Sequence, residues 1–584
     1  MPVSAVDTDS LLAVEVGSIT TRALLFDVVD GQYRFVARGQ APSTAAAPFK
    51  DIREGVRNAL EHLQRITGRK LLGIDQRLIL PSQPDGTGVD LFAASLSAGP
   101  VIKTVVVGLL ADVSLESVQR IARSTYTRVI ESIALNDRRR PHEQIDHILR
   151  LQPDLFLVAG GTDGGATRSL QQILEITALV CHLLPENKRP AVLFAGNQEL
   201  TPLVKETLQP ITPALFMSPN VRPALEVEDL QPAQSVLNQA YRQIRQTQMA
   251  GVEEINEWSK GTLISTAYAT TRMVRFLSHD APKGILSVDI GAGHTTVVGG
   301  FQGETVTGVY TQLGLGEAVS GLLRYTSPDD IARWLPFEVS DETIQEYLYH
   351  KSLYPASVPA TPEELALEQA VARQVLHLAI KSISKEFPSK ARRPAAGLLP
   401  YFEPILAGGG VITQAPSAGQ SLLLLLDAIQ PYGITTVILD QNNIVPALGA
   451  AAGRRPILPV RVLDSMAFRY LATVVTPYVQ AHLGTPVLRV RLIHPNGSET
   501  RADVKQGMLE VLPLSPGQVG RLYLQPLHNA DIGLGPGKTR PEGFPVAGTA
   551  LGVVIDARGR PLRFPADQVR RREIIKKWLW TVGG

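Results

Sequence analysis

The apolar residues at the start of the chain are grouped in short runs, which predict a β-hairpin followed by a third strand. Residues 11–16 are almost wholly apolar, and a turn leads into a second run at residues 22–28. After another tight turn, residues 33–38 form the third strand. The apolar spacing then changes to three and four residues across residues 51–67, which predicts an amphipathic helix.

Between residues 101 and 195, apolar strands alternate with helical segments. Strands are predicted at residues 101–110, 128–135, 155–159 and 191–195. This alternation is typical of a doubly wound α/β unit, whose ligands sit at the carboxyl ends of the strands. We therefore expect an α/β unit that is inserted into a larger domain. The amphipathic and largely helical residues 228–280 would connect it to the second half of the chain.

The opening pattern recurs from Gly284 onward. Residues 285–290 form an apolar strand, a glycine-containing turn follows, and residues 296–300 return as the second strand. A third strand is predicted at residues 304–311. The two copies share their arrangement rather than close sequence, and a repeat of this kind predicts two related lobes.

Beyond residue 459 the chain changes to short strands separated by polar turns. These strands are predicted at residues 487–493, 499–504, 508–512, 520–526 and 551–556. A basic helix over residues 566–580 follows them. We expect a β-rich accessory domain over residues 481–570 that ends in this helix.

Composition narrows the class of protein. The chain has 584 residues with a net charge of +2, so no bulk charge indicates a nucleic-acid partner. Cys181 is the single cysteine, which excludes a disulfide framework within one chain and favours a reducing compartment. No signal peptide is recognised, and the longest apolar runs are too short to span a bilayer. We therefore expect a cytoplasmic protein without a membrane partner.

The first hairpin carries residues suited to binding a phosphate. Glu15 ends the first strand, Gly17 lets the backbone approach a ligand, and the hydroxyls of Ser18, Thr20 and Thr21 can donate to phosphate oxygens. Glu15 could also hold a magnesium ion through water. Taken alone, such a hairpin is as often only a β-turn.

The second hairpin repeats this chemistry with an aspartate at the strand end. Asp289 is positioned to hold Mg²⁺ through water, because that ion dehydrates reluctantly. The glycines and threonines that would contact phosphate are Gly291, Gly293, Thr295 and Thr296. His294 in this turn could transfer a proton, and a solvated turn histidine without such a role is the commoner case.

A third motif is the glycine turn Gly408-Gly409-Gly410, between a short strand and a helix. Bare backbone of this kind lets a flat group such as an adenine or a ribose lie against it. A close strand-to-helix turn with no ligand is the alternative. The three motifs together, in this order, favour nucleotide binding.

These motifs resemble the two phosphate motifs and the adenosine motif of the actin, Hsp70 and sugar-kinase ATPases. A closer resemblance is to the glutamate mutase accessory protein family, called GlmL or MutL. It is carried by EVGSITTRALLFDVVDGQYRFVARGQAPST, VAGGTDGGATRSL, VLFAGN, LSVDIGAGHTTV, LAGGGVITQAP and ILDQNNIVPALGAAAG, over residues 11–465. The mismatch-repair ATPase that shares the name MutL has Asn- and Gly-rich lid motifs, which we do not find in this sequence.

The resemblance implies an α/β fold with two actin-like, RNase H-like lobes, to which the pattern of strands and helices adds the inserted doubly wound α/β unit and the C-terminal β-rich domain. We expect a first lobe (1–95), the insertion (96–225), a helical connection (226–283), a second lobe (284–465) and the accessory domain (466–584). It further implies ATP and Mg²⁺ as cofactors, and the reactivation of an adenosylcobalamin-dependent carbon-skeleton mutase as the function. Composition and spacing alone indicate neither cobalamin nor a mutase.

Two features leave the chemistry open. The superfamily typically has Asp where this chain has Glu15, which moves the carboxylate by about one C–C bond and puts hydrolysis in doubt. No catalytic carboxylate facing an acceptor pocket is identifiable, so the catalytic residues stay unassigned. A small-molecule kinase, or an ATP-driven hydrolase, on the same fold is one alternative. A nucleotide-dependent, polymer-forming actin relative is another.

One further loop is a candidate site for an anion or a partner. Gly161, Thr162, Asp163 and Gly164 follow an apolar strand and precede a helix. Free amides at such a position can bind an anion. The alternative is a glycine-rich connection in which Thr162 or Asp163 serves only as a cap.

Overall fold

A computed structural model of the chain describes residues 9–165, 167–456, 459, 462 and 467–583. The first eight residues and the predicted boundary at residues 465 and 466 lie outside the described residues. Among the described helices, none is both long enough and apolar enough to cross a membrane.

The strands of the first half run from the opening hairpin to the end of the insertion. They are β1 (Leu11–Val16), β2 (Thr20–Val29), β3 (Gln32–Pro42), β4 (Leu91–Leu96), β5 (Ile102–Gly108), β6 (Thr127–Ala134), β7 (Leu155–Val158), β8 (Ala191–Phe194), β9 (Leu215–Met217) and β10 (Ile264–Ser265). The strands of the second half are β11 (Gly284–Ile290), β12 (Thr295–Phe301), β13 (Glu304–Tyr310), β14 (Phe402–Gly408), β15 (Gly433–Leu439), β16 (Arg469–Thr476), β17 (Pro486–Ile493), β18 (Glu499–Lys505), β19 (Leu509–Leu512), β20 (Val519–Pro526), β21 (Phe544–Ala547) and β22 (Val553–Asp556).

Helices connect these strands. The α-helices are α1 (Ile52–Thr67), α2 (Glu116–Ala122), α3 (Pro141–Leu151), α4 (Arg168–Leu183), α5 (Thr201–Leu208), α6 (Gln231–Gln248), α7 (Val252–Trp258), α8 (Thr266–Leu277), α9 (Pro328–Ala332), α10 (Asp341–Leu353), α11 (Pro362–Ile383), α12 (Gly410–Thr413), α13 (Ala418–Ile429), α14 (Ile444–Ala451) and α15 (Gln568–Thr581). A π-helix at Ala111–Leu115 precedes α2, and 3₁₀-helices lie at Glu186–Lys188, Gln198–Leu200 and Glu317–Arg324.

The chain forms two compact units. The first consists of the residues up to Ala269, together with Thr307–Thr311 and the segment that begins at Pro446. The second comprises Thr270–Val306, Gln312–Val445 and the segment that begins at Val462.

The first unit contains a mixed five-stranded sheet in the order β10-β4-β1-β2-β3. The central strand β1 is buried along its whole length, antiparallel to β2 and parallel to β4. Helix α1 buries Ile52, Val56, Leu60 and Leu63. It begins at the Asp51 cap and ends at Gly68, whose φ of 71° gives the left-handed cap that favours glycine.

A second sheet of the first unit is inserted between β4 and β10. Its five strands are all parallel, in the order β6-β5-β7-β8-β9. The chain starts at β5, moves to β6 on one side and then to β7 on the other, so the winding reverses between β5 and β7. The predicted α/β class with an inserted doubly wound unit is therefore confirmed.

The second unit is built on an eight-stranded sheet in the order β13-β12-β11-β14-β15-β16-β22-β19. Strands β17, β18, β20 and β21 form a separate antiparallel sheet in the order β18-β17-β20-β21. The predicted β-rich C-terminal character and terminal helix are confirmed. Strands β16, β19 and β22 join the sheet that carries the second hairpin, because β16 pairs along the whole of β15.

Candidate functional site

Glu15 is buried at the end of β1, directly opposite Arg22 of β2. Its Oε2 accepts a hydrogen bond from Arg22 Nη1 at 3.0 Å, and its Oε1 accepts one from Ser97 Oγ at 3.0 Å. Ser97 follows β4, the parallel neighbour of β1. Both oxygens of Glu15 are thus engaged within the first unit, and Arg22 balances its charge.

The turn of the first hairpin is closed by Gly17, whose N–H donates to Thr20 O at 3.0 Å. A Cβ at Gly17 would sit 2.9 Å from that oxygen, so only glycine fits. Ser18 and Thr20 are half-buried in the turn, whereas Thr21 is fully buried. The Oγ1 of Thr21 has no hydrogen-bond partner among the described residues. The structure therefore places Gly17, Ser18 and Thr20 at the turn and Thr21 in the core beneath it.

The second hairpin closes in the same way, because the Gly291 N–H donates to His294 O at 2.9 Å. Asp289 lies near the end of β11, opposite Thr296 of β12, and is half-buried. Gly291 and Gly293 are also half-buried, but His294 and Thr296 are buried. The half-buried part of this hairpin is thus Asp289 and the glycine-containing turn.

The segment after β13 braces this turn and was not predicted as part of the site. The Leu315 N–H donates to Gly291 O at 3.0 Å, and the buried Thr295 hydroxyl donates to Leu313 O. A Cβ at Gly314 would lie 2.4 Å from Ala292 O, so the two segments touch backbone to backbone. The conformation of the second turn therefore depends on Gly314.

The glycine turn lies beside Asp289 in the same unit. Strand β14 runs parallel to β11, with Gly408 level with Asp289. A Cβ at Gly408 would be 2.5 Å from Asp289 Oδ2. Gly409 has a φ of 96°, and its Cβ would be 2.2 Å from Ile290 O. The structure thus brings the predicted magnesium-binding carboxylate and the predicted adenosine motif together.

Gly410 differs from the two glycines before it. It is exposed, and no atom of the described residues lies within 4 Å of the position where its Cβ would start. Bare and accessible backbone is what a flat ring would need to lie against. Gly410 is therefore the member of the turn that fits a bound adenine or ribose.

The loop after β7 is held by polar groups of the segments that follow β8 and β9. Asp163 Oδ1 accepts from Asn220 Nδ2 at 2.9 Å and from the Gln198 N–H at 3.0 Å. Asn220 Nδ2 also donates to Gly161 O at 2.9 Å. Asp163 therefore braces the predicted anion loop. The amides of Gly161 and Thr162 make no hydrogen bond within the described part of the chain.

Several residues that shape these sites were not predicted. Ser97 contacts Glu15 from 82 residues away, and no local pattern could reveal that contact. Gly314 carries a weak signal, since glycines two residues apart follow the third strand. Asp440 caps the first turn of α14, with its oxygens accepting from the Ile444 and Val445 amides at 2.8 and 2.7 Å. An Asp before an apolar helix is a recognisable cap signal.

No group of three or more His, Cys, Asp and Glu side chains among the described residues could hold a metal ion by itself. Beside nucleotides, Mg²⁺ is commonly bound by one or two carboxylates, phosphate oxygens and water.

Comparison with known proteins gives a family match. The model of the family described as MutL protein matches residues 11–466. A protein named "Protein MutL" from Clostridium tetanomorphum is 24% identical over 421 residues, which cover 66% of this chain and 88% of that protein.

Similar solved structures include an acetone carboxylase and a diol dehydratase-reactivating factor, both in nucleotide-free form. Nucleotide-free acetone carboxylase is 11% identical, with 86% of this chain and 81% of that chain covered and a TM-score of 0.32. The nucleotide-free diol dehydratase-reactivating factor is 11% identical, with 76% and 99% covered and a TM-score of 0.30.

Proposed function

The chain belongs to the MutL protein family, and we propose that it is an ATP-binding accessory factor for an adenosylcobalamin-dependent carbon-skeleton mutase such as glutamate mutase. The motif resemblance supports the class of partner. The residues of the two hairpins and of the glycine turn support ATP as the ligand. Bound ATP with Mg²⁺ would supply a phosphoanhydride bond whose hydrolysis can drive conformational change in the complex with a partner.

One observation carries the nucleotide proposal. Within the second unit, the Asp289 carboxylate lies against the glycine turn, where Gly408 and Gly409 have no side chains. We propose that Asp289 orients water on Mg²⁺, while the turn at Gly291 and Gly293 approaches the phosphates. The open backbone at Gly410 would contact the adenosine, with Gly408 and Gly409 holding it in place.

The first hairpin has a complementary proposed role. Its turn can donate from the Ser18 and Thr20 groups to phosphate oxygens, while Gly17 lets the backbone approach them. The buried threonines Thr21, Thr295 and Thr296 would shape the two hairpins rather than offer their hydroxyls. Glu15 would contact Mg²⁺ only through water, because Arg22 and Ser97 already occupy both of its oxygens.

Calorimetric titration with ATP and Mg²⁺ tests the nucleotide proposal. We expect Asp289→Ala to remove measurable binding, because the metal-bound phosphates lose the anion that orients them. The control is Asp280→Ala, which removes an exposed aspartate from the same unit. Unchanged ATP affinity in Asp289→Ala would contradict the assignment.

The accessory role needs a partner assay. Inactivated glutamate mutase holoenzyme, incubated with the full chain, is expected to regain activity with MgATP and not with MgADP. The Asp289→Ala variant should support no recovery. Recovery that is independent of ATP, or none with glutamate mutase while the chain binds ATP normally, would contradict the proposed partner but leave the nucleotide site standing.

A further inference from the structure

The inserted α/β unit contains a cavity that the nucleotide proposal does not use. It has a volume of about 250 Å³ and lies at the carboxyl ends of β5, β6 and β7. The winding of the sheet reverses between β5 and β7, so the loops after these strands diverge and leave a crevice. Crevices at such a reversal are where open α/β sheets bind ligands.

The walls of the cavity are mainly apolar. Leu110 and Val113 come from the loop and π-helix after β5, Leu135 follows β6, and Leu225 follows β9. Leu110, Leu135 and Leu225 are 52%, 46% and 56% exposed. Three half-exposed leucines around one concave site leave apolar surface that an occupant would remove from water.

The polar part of the cavity lining includes the Arg222 guanidinium, which is ion-paired with Glu228. The Arg222 guanidinium donates to Ser117 Oγ at 3.0 Å, to Leu225 O at 3.0 Å and to Glu228 Oε1 at 3.2 Å. A guanidinium has more N–H donors than these contacts use. The Gly161 and Thr162 residues, whose amides are unbonded within the described chain, line the same cavity. Arg222 is thus fixed in place, and its guanidinium has further N–H groups that could donate to a ligand.

The wall of the cavity that includes Leu110 and Val113 is formed by a π-helical segment. The π-helix Ala111–Leu115 forms the rim, and the Leu110 N–H donates to Ser114 Oγ at 3.1 Å. Single π-turns are rare and are found frequently at functional sites. This turn directs Leu110 and Val113 to the cavity, which a regular start of α2 would place differently.

We propose that this cavity binds a compact aromatic ligand, or an aromatic moiety of a larger one, that carries a single anionic group. An apolar cavity of about 150 Å³ accommodates benzene, so the larger volume here suits a two-ring system. The rings would lie between the leucines, and the anion would accept hydrogen bonds from Arg222 and the loop amides. This site is independent of the proposed ATP site.

The test uses 2-naphthoate and its neutral amide as probes, titrated calorimetrically into the full chain. We expect saturable one-to-one binding of naphthoate. Val113→Trp, which fills the cavity, should abolish the binding of both probes. Arg222→Met should weaken naphthoate about tenfold or more and change naphthamide by less than about threefold, since only the anion loses a charge-assisted partner.

Matched controls lie in the same α/β unit. Leu179→Trp and Arg150→Met alter exposed residues of α4 and α3 that do not line the cavity, and both should bind naphthoate normally. Thermal unfolding identifies any variant that fails to fold, and Leu110→Glu at the half-exposed rim then replaces Val113→Trp. No saturable binding by the wild-type chain, or equal affinity in the cavity-filling variant, would overturn the proposal.

Discussion

At the residue scale, Glu15 and Arg22 form an ion pair whose surroundings determine its contribution to stability. The side chain of Glu15 is 3% exposed, whereas that of Arg22 is 21% exposed. Removing the charge of Glu15 leaves the donors of Arg22 and Ser97 with a weaker acceptor in a largely buried place. We expect Glu15→Gln to lower the free energy of unfolding by about 1–3 kcal/mol, measured by urea denaturation.

Glu116→Gln is the matched control for this prediction. It is the same substitution in the same unit. Glu116 is paired with Arg120, and the distance between Glu116 Oε2 and Arg120 Nη1 is 3.7 Å. Glu116 is 54% exposed, so water screens the pair and the expected loss is below about 0.5 kcal/mol. Equal losses in the two variants would show that Glu15 is not held as the structure has it.

At the element scale, two neighbouring glycines of the glycine turn are expected to have different roles, Gly409 in the stability of the fold and Gly410 in ligand binding. A side chain at Gly409 would clash with Ile290 O and would need a φ of 96°. We expect Gly409→Ala to cost about 1–3 kcal/mol of unfolding free energy, with ATP binding reduced as well. Urea denaturation and calorimetry measure the two effects.

The neighbouring variant Gly410→Ala should behave differently. Its Cβ meets no described atom within 4 Å, and the residue begins a helix, so stability should be unchanged or slightly higher. If adenosine lies against this backbone, ATP affinity should still fall about tenfold or more, as a methyl group displaces the ring. Normal affinity in Gly410→Ala would refute the adenosine contact while sparing the Asp289 proposal.

These elements also show what sequence can predict. The strand predicted at residues 11–16 agrees with β1, and the one at residues 285–290 differs from β11 by one residue. Each is a mostly apolar run, which is a local signal. The brace at Gly314 and the hydrogen bond from Ser97 were missed, because they depend on contacts between distant segments. The pairing of β16 with β15 was missed for the same reason.

At the scale of the whole molecule, the C-terminal region completes a sheet. The family match ends at residue 466, yet β16, β22 and β19 extend the sheet beyond β15. A chain truncated at residue 466 would leave β15 as an edge strand with its apolar residues exposed. We expect that chain to be insoluble or to melt without a cooperative transition in circular dichroism. A soluble chain with a cooperative melt would contradict this.

The second unit also contains a buried ionic network that joins the C-terminal segment to two helices. Arg558 Nε donates to Asp556 Oδ1 at 2.8 Å, and Arg558 Nη1 donates to Asp427 Oδ1 of α13 at 2.6 Å. Arg373 of α11 donates to Asp427 Oδ2 at 2.8 Å, and Arg560 donates to Asp556 Oδ2. Because Asp556 is completely buried, losing its charge would remove that carboxylate from the buried Arg560 and leave the buried Arg558 with Asp427 alone.

We therefore expect Asp556→Asn to lower the free energy of unfolding by about 3–5 kcal/mol, against less than about 1 kcal/mol for Asp503→Asn in an exposed pair of the same unit. Burial raises the pKa of Asp556, but the charges of Arg558 and Arg560 outweigh burial and hold that pKa well below its usual range. A lowered carboxyl pKa stabilises the fold above the unfolded value of about 4 and loses that contribution only as pH falls toward the folded value. Urea titrations should consequently give the same loss across about pH 5 to 8, and a loss that disappears within that window would contradict a charged, paired Asp556.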